Sequence, residues 1–275
     1  MTLKQKNSSI QELNNKELSI QISLNGLSFC ILNPLTQNIL SLRHFKQAQK
    51  QTPFELLDTV KHLFNTDIDL NGPFDKITVI HVNELATLVP KALFNEDAIA
   101  DYLKLNSKIL KTDYITYDTI LSNESINVYV PYVNVNNFIY EKYGDFTFKH
   151  FSTILIESLL AIEKNSNDTK LYINVNTNHF EIIALKEGKL LLYNTFEYIT
   201  NNDFIYYILF TAEQLGFNPE TLNLVFLGDI KEGDNLYNIV YKYIRHVSFG
   251  SRMDTFSFTK NPASTYSDFT LIKSL

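Results

Sequence analysis

Tryptophan is absent, cysteine occurs once and methionine twice, and glycine (8) and proline (7) are sparse in the 275 residues. A single cysteine, Cys30, excludes an internal disulfide. With no basic neighbour or helix start beside it, Cys30 reads as a small buried hydrophobe rather than a reactive thiol. No stretch of about 18 apolar residues occurs, so no membrane insertion is expected, and the opening MTLKQKNSSIQELNNKE lacks the apolar centre of a signal peptide. A soluble, cytoplasmic chain follows as the expectation. No GxGxxG, GxxxxGK[ST], GxSxG or HExxH motif is present. The six histidines, His44, His62, His81, His150, His179 and His246, form no close pair with one another or with Cys30, so no metal site and no catalytic residue are assigned. A net charge of −6 and the lack of a Lys/Arg stripe argue against nucleic-acid binding.

The 45% hydrophobic share is ample for a core, and 275 residues allow one large domain or two medium ones. Residues 1–16 are polar and read as a frayed terminus. Two later stretches look like copies of one plan. Leu18 to Leu32 and Leu171 to Tyr193 each read as an alternating strand, a tight turn and a return strand, and each is followed by a third strand and a helix. Asn25-Gly26 and Glu187-Gly188 are the expected turns. Thr52-Pro53-Phe54-Glu55 reads as a capped helix start. The run 76–83 is a dense β-branched strand, 87–90 and 125–132 are further strands, and a helix starts at Asn95. Phe151 to Lys164 has helical apolar spacing and is the natural crossover between halves. The order strand, strand, strand, helix, strand, helix thus occurs twice, with a short closing helix near 267–275.

This order, and a second half in which a hairpin, a helix and the strand Asn223 to Leu227 are followed by Gly228, resembles the actin-like ATPase superfamily, in particular its cell-division and pilus-assembly branch. More narrowly, the chain is similar to a Bacteroidota family, domain of unknown function 3822. The resemblance implies a duplicated actin-like, ribonuclease H-like α/β fold. Two lobes, residues 17–164 and 165–275, would each carry a mixed five-stranded sheet with flanking helices.

In nucleotide-hydrolysing members the first strand of each half ends in an Asp followed two residues later by Gly; the acid serves Mg²⁺ and the glycine lets amides approach phosphate. Aligned on the hairpins, this chain has Gln21 and Ser23 in the first half and Asn174 and Asn176 in the second. None carries charge, and Mg²⁺ prefers carboxylate and phosphate oxygens. The expectation is a pseudo-ATPase without cofactor. Its degenerate cleft would comprise Gln21, Ser23, Asn25, Asn174, Asn176, Gly228 and Asp229, with Asn178 extending a neutral hydrogen-bonding floor. A protein partner follows as the expected use, and Tyr237, Tyr241, Lys242 and Arg245 form the candidate partner surface. The alternative is a ligand-binding protein or kinase-like phosphotransferase in which Asp229, Glu232 or Glu84 replaces the lost acids.

Overall fold

Alternation of Leu18, Ile20 and Ile22 with Ser19, Gln21 and Ser23 gives Glu17–Ser23 (β1) two distinct faces, and both are covered. The computed structural model describes residues 15–275, so the expectation for residues 1–16 lies almost wholly outside the described residues. Strand β1 pairs antiparallel with Gly26–Asn33 (β2), which pairs with Asn38–Lys46 (β3). The turn is Leu24-Asn25, one residue earlier than Asn25-Gly26: Gly26 pairs with Ser23. Its φ of +138 and the Phe45 carbonyl, 2.1 Å from where a Cβ would sit, restrict the position to glycine.

After Pro53–Thr66 (α1), Lys76–His81 (β4) returns parallel to β1. Helix α1 begins as its sequence implies, with Thr52 and Glu55 capping each other's backbone N–H groups, and it buries Leu56, Val60 and Phe64, four residues apart. Between β4 and the next strand of the same sheet comes an insertion. Ala86–Pro90 (β5), Thr116–Ile120 (β6) and Ser125–Tyr129 (β7) form an antiparallel sheet in the order β5-β7-β6, with Ile99–Lys104 (α2) against it. Val89, Leu103, Ile126 and Val128 are its small core. The helix expected from Asn95 is shorter than its sequence suggests: Asn95 caps a 3-10 turn at Glu96–Ala98, and α2 follows.

Val133–Tyr143 (α3), Thr147–His150 (β8) and Phe151–Ile162 (α4) complete the first half. The second half repeats it with Thr169–Val175 (β9), His179–Lys186 (β10), Lys189–Glu197 (β11), Asn201–Gln214 (α5), Asn223–Gly228 (β12), Asn235–Tyr241 (α6) and His246–Phe249 (β13). The first sheet runs β14-β3-β2-β1-β4-β8 and the second β11-β10-β9-β12-β13, β14 being Ser257–Phe258. Leaving out β14 and the inserted β5, β6 and β7, both sheets have the same order counted within each half, third, second, first, fourth, fifth, with the same strand directions. The duplication legible in the sequence is therefore a duplication of topology.

Helix α4 is apolar nearly all round because it lies between the two sheets. One continuous core joins Ile80 of β4, Leu155 and Leu159 of α4, and Ile183 and Leu227 of the second sheet. The chain's last helix, Phe269–Lys273 (α7), adds Phe269, Leu271 and Ile272 to that core. Cys30 lies there too, fully buried, its thiol held well above the ordinary cysteine range by burial. Both β14 and α7 thus return from beyond the second sheet to the first, β14 pairing with β3 and Thr270 of α7 bonding Gln21 of β1.

Candidate functional site

The face of β1 that carries Ser19 and Gln21 looks onto α7. Ser19 meets the Ser274 hydroxyl at 2.5 Å, and Gln21 Oε1 accepts a hydrogen bond from the Thr270 hydroxyl at 2.7 Å. The Ser23 hydroxyl donates to the Gly26 carbonyl and accepts from the Asn25 backbone N–H, both at 3.2 Å. The first hairpin's polar residues are therefore spent on seating the last helix and closing their own turn.

In the second hairpin the register sets Glu181 of β10 directly opposite Asn174 of β9. Side chains at 181, 183 and 185 share one face of β10, and the other two are Ile183 and Leu185 in the inter-sheet core. Glu181 is fully buried. Its Oε2 accepts from the Asn174 Nδ2 at 2.7 Å and the Asn176 Nδ2 at 3.1 Å. Its Oε1 has no hydrogen-bond partner among the described residues; His179 Nε2 lies 3.3 Å away without hydrogen-bond geometry. Burial pushes the Glu181 carboxyl up to about 8 against the opposing pull of the Asn174 amide, and burial lowers the His179 imidazole. Burial thus favours the uncharged form of both groups. Asn178, by contrast, is exposed: its side chain meets its neighbour His179 at 3.0 Å and its carbonyl accepts from the Tyr198 N–H at 3.2 Å.

Gly228 ends β12 at φ +82, and a Cβ there would lie 2.3 Å from the Val175 carbonyl and 3.1 Å from Asn174 Oδ1. The glycine lets β12 close onto β9, and its N–H donates to the Tyr266 carbonyl of the C-terminal segment at 3.1 Å. The Tyr266 ring stacks on Phe249 with centroids 4.7 Å apart. Asp229 donates its backbone N–H to the Val175 carbonyl at 2.8 Å, and its carboxylate reaches Lys46 at the end of β3, also at 2.8 Å. Glu84 pairs with Lys50 at 3.3 Å, and its charge acts on His179. Glu232 is exposed. Asp229 and Glu84 are thus both engaged by lysines of the first half, while the acid that stands beside the amides is Glu181, which the sequence reading passed over.

On α6, Tyr237 is half-buried and stacks on Phe249 at 5.6 Å and on Tyr241 at 5.7 Å. Tyr241, Lys242 and Arg245 are exposed, and Arg245 pairs with Glu220 at 3.3 Å. On α5, exposed Tyr206 and Phe210 stack at 5.9 Å, so aromatic rings face outward from both helices of this half. Among the described residues no cluster of three or more His, Cys, Asp or Glu could hold a metal ion, and no helix is long and apolar enough to cross a membrane.

Comparison with known proteins places this geometry in context. The family model described as "Protein of unknown function (DUF3822)" matches residues 5–247. The chain is similar to a Bacteroides thetaiotaomicron protein with an actin-like ATPase fold and unknown function, at 26% identity and a TM-score of 0.78, over 88% of this chain and 93% of that one. It is also similar in fold to a chain of a PilM-PilN type IV pilus biogenesis complex, at 12% identity and a TM-score of 0.58, over 93% and 96%. No curated protein matches it in sequence.

Proposed function

We propose, for a chain that belongs to the DUF3822 family and has the actin-like ATPase fold, a role as a non-catalytic cytoplasmic interaction module built on two lobes, residues 17–164 and 165–275. The observation that carries this reading is the second hairpin, where Asn174 and Asn176 both bond a fully buried Glu181 whose carboxyl burial pushes up to about 8. A hydrated Mg²⁺ bridging a polyphosphate needs anionic oxygen ligands; the ends of both opening strands carry amides and a hydroxyl, and the one acid beside Asn174 and Asn176 is already bonded by both. The first hairpin and the end of β12 support the same reading. Gln21 bonds Thr270 and Gly228 bonds Tyr266, so polar groups that would meet a nucleotide in a working ATPase are bonded to the chain's own C-terminal segment.

A protein partner suits the outward aromatic rings of Tyr206, Phe210 and Tyr241, flanked by Lys242 and Arg245. The PilM relative is described in complex with PilN, so this fold serves at least one protein assembly. A pull-down with the wild-type chain and a Tyr206→Ala, Tyr241→Ala variant tests the surface; equal recovery of the same partner by both would remove it from the account. The second reading is a ligand-binding or phosphotransferase site in a diverged cleft, and the unbonded Oε1 of Glu181 favours it. Phosphate release from ATP that disappears in Glu181→Gln would establish that reading in place of the first.

A further inference from the structure

At the opposite end of the first sheet from the hairpins, the strand faces change character. The face of β4 and β8 under α4 is apolar at Ile80, but toward the strand starts it becomes Lys76 and Thr78 on β4 and Thr147 and Lys149 on β8, with Thr78 registered on Thr147. The opposite faces stay apolar at Ile77, Val79 and Phe148. Four residues of strand separate the Glu17–Lys76 pair from the Gln21–Ile80 pair, roughly 13 Å at about 3.3 Å per residue, so this patch is distinct from the candidate cleft.

The patch lines an open cavity of about 710 Å³, bordered by α4, Met253 and the end of α7. That volume is within the range of small-molecule sites, which join an apolar lining to a few convergent polar groups. Three ammonium groups border it, from Lys76, Lys149 and Lys273. Lys149 pairs with Glu157 at 2.9 Å, and Lys76 with Glu17 at 3.1 Å and the Leu275 main-chain oxygen at 3.3 Å. Lys273 has no carboxylate within ion-pair distance among the described residues, and burial lowers its ammonium below the ordinary lysine value despite the opposing charge of Asp254. Of the three ammonium groups at the cavity, Lys273 is thus the one without a carboxylate partner among the described residues.

We propose that this cavity binds a phosphomonoester of a small organic molecule. Lysines bind phosphate as point charges, and the cavity has three of them and no arginine to add a planar bidentate contact. The hydroxyls of Thr78, Thr147 and Ser158 are donors for the remaining phosphate oxygens. Ile154, Ala161, Ile162 and Met253 give the organic part an apolar wall. The site is independent of the interaction role proposed above and stands or falls separately from it.

The test is calorimetric titration with phenyl phosphate and inorganic phosphate, together with amide chemical shifts of the wild-type protein. Phenyl phosphate should bind saturably and more tightly than inorganic phosphate, with the largest shifts at Thr147, Ser158 and Ser274. Lys273→Met should weaken it about tenfold or more, with Lys273→Gln as the second variant if the first folds poorly, while Lys189→Met, on the far sheet, should leave it unchanged. Three results would overturn the proposal: no saturation at concentrations on the order of 10 mM, equal losses in the Lys273 and Lys189 variants, or wild-type shifts confined to the hairpins at Gln21 and Asn174.

Discussion

Replacing Glu181 by Gln should make the protein less sensitive to alkaline pH. In the unfolded chain this carboxyl titrates near the ordinary glutamate value of 4.5, whereas in the fold burial holds it at about 8. Between those values the native state binds one proton more than the unfolded state, so stability is greatest below the lower value and is lost as pH rises through the upper one. At 1.36 kcal/mol per pH unit the whole span is of order 5 kcal/mol, and the part between pH 6 and pH 8 is of order 3 kcal/mol. Glutamine keeps an acceptor for the Asn174 and Asn176 amides, presents a donor in place of the acidic proton and has no charge to bury. Urea unfolding followed by circular dichroism at pH 6, 7, 8 and 9 measures the difference. His44, raised by its hydrogen bond to Asp268, acts with the same sign in both proteins and cancels in the comparison. The wild type should lose about 1 M in midpoint relative to Glu181→Gln across this range, at a slope near 3 kcal/mol per M. Parallel pH profiles for the two proteins would refute the reasoning.

The opposite limb of the profile belongs to His81 and His150, which burial pushes down to about 4 and about 3. Their stabilisation is full above the unfolded value of 6.5 and is lost as pH falls toward the folded values, so unfolding midpoints should fall between pH 6.5 and pH 5, and a flat acid limb would contradict the neutral, buried assignment. Gly228→Ala should cost about 2 kcal/mol or more, read as a lowered thermal midpoint, because the side chain would meet the Val175 carbonyl in a left-handed backbone; an unchanged midpoint would show that β12 can move off β9. Asp118→Ala should destabilise by about 3 kcal/mol, because the Asp118 carboxylate accepts from the His150 N–H at 2.9 Å, the Thr153 hydroxyl at 2.7 Å and the Tyr129 hydroxyl at 3.1 Å, tying the inserted sheet to the start of α4; denaturant unfolding that matches the wild type would remove that tie.

The elements that sequence reasoning recovers are those with strong local signals. The capping box at Thr52 and Glu55, the β-branched run of β4 and the two hairpins need no tertiary information, and together they carry the duplicated sheet order. The strands it missed lack such signals. Strand β6 places Asp118 where an alternating strand would carry a hydrophobe, because three donors from other elements satisfy that acid. Strands β13 and β14 are four and two residues long and sit at sheet edges, too short for periodicity to register. Glu181 did leave a trace: in Phe180-Glu-Ile-Ile-Ala-Leu185 it is the lone charge in a strand apolar on both faces, which marks a buried acid. Comparing only the ends of the opening strands hid it, since Glu181 enters the site from the return strand through cross-strand register. The part played by α7 and Tyr266 was beyond reach, because their partners Gln21 and Gly228 lie 249 and 38 positions earlier in the chain.

Calorimetric titration of the purified chain with ATP in the presence of Mg²⁺ at neutral pH addresses the central claim most directly. The account predicts no saturable Mg²⁺-dependent heat and no phosphate release. Saturable binding that requires Mg²⁺ and vanishes in Asn174→Ala or Glu181→Gln would contradict it.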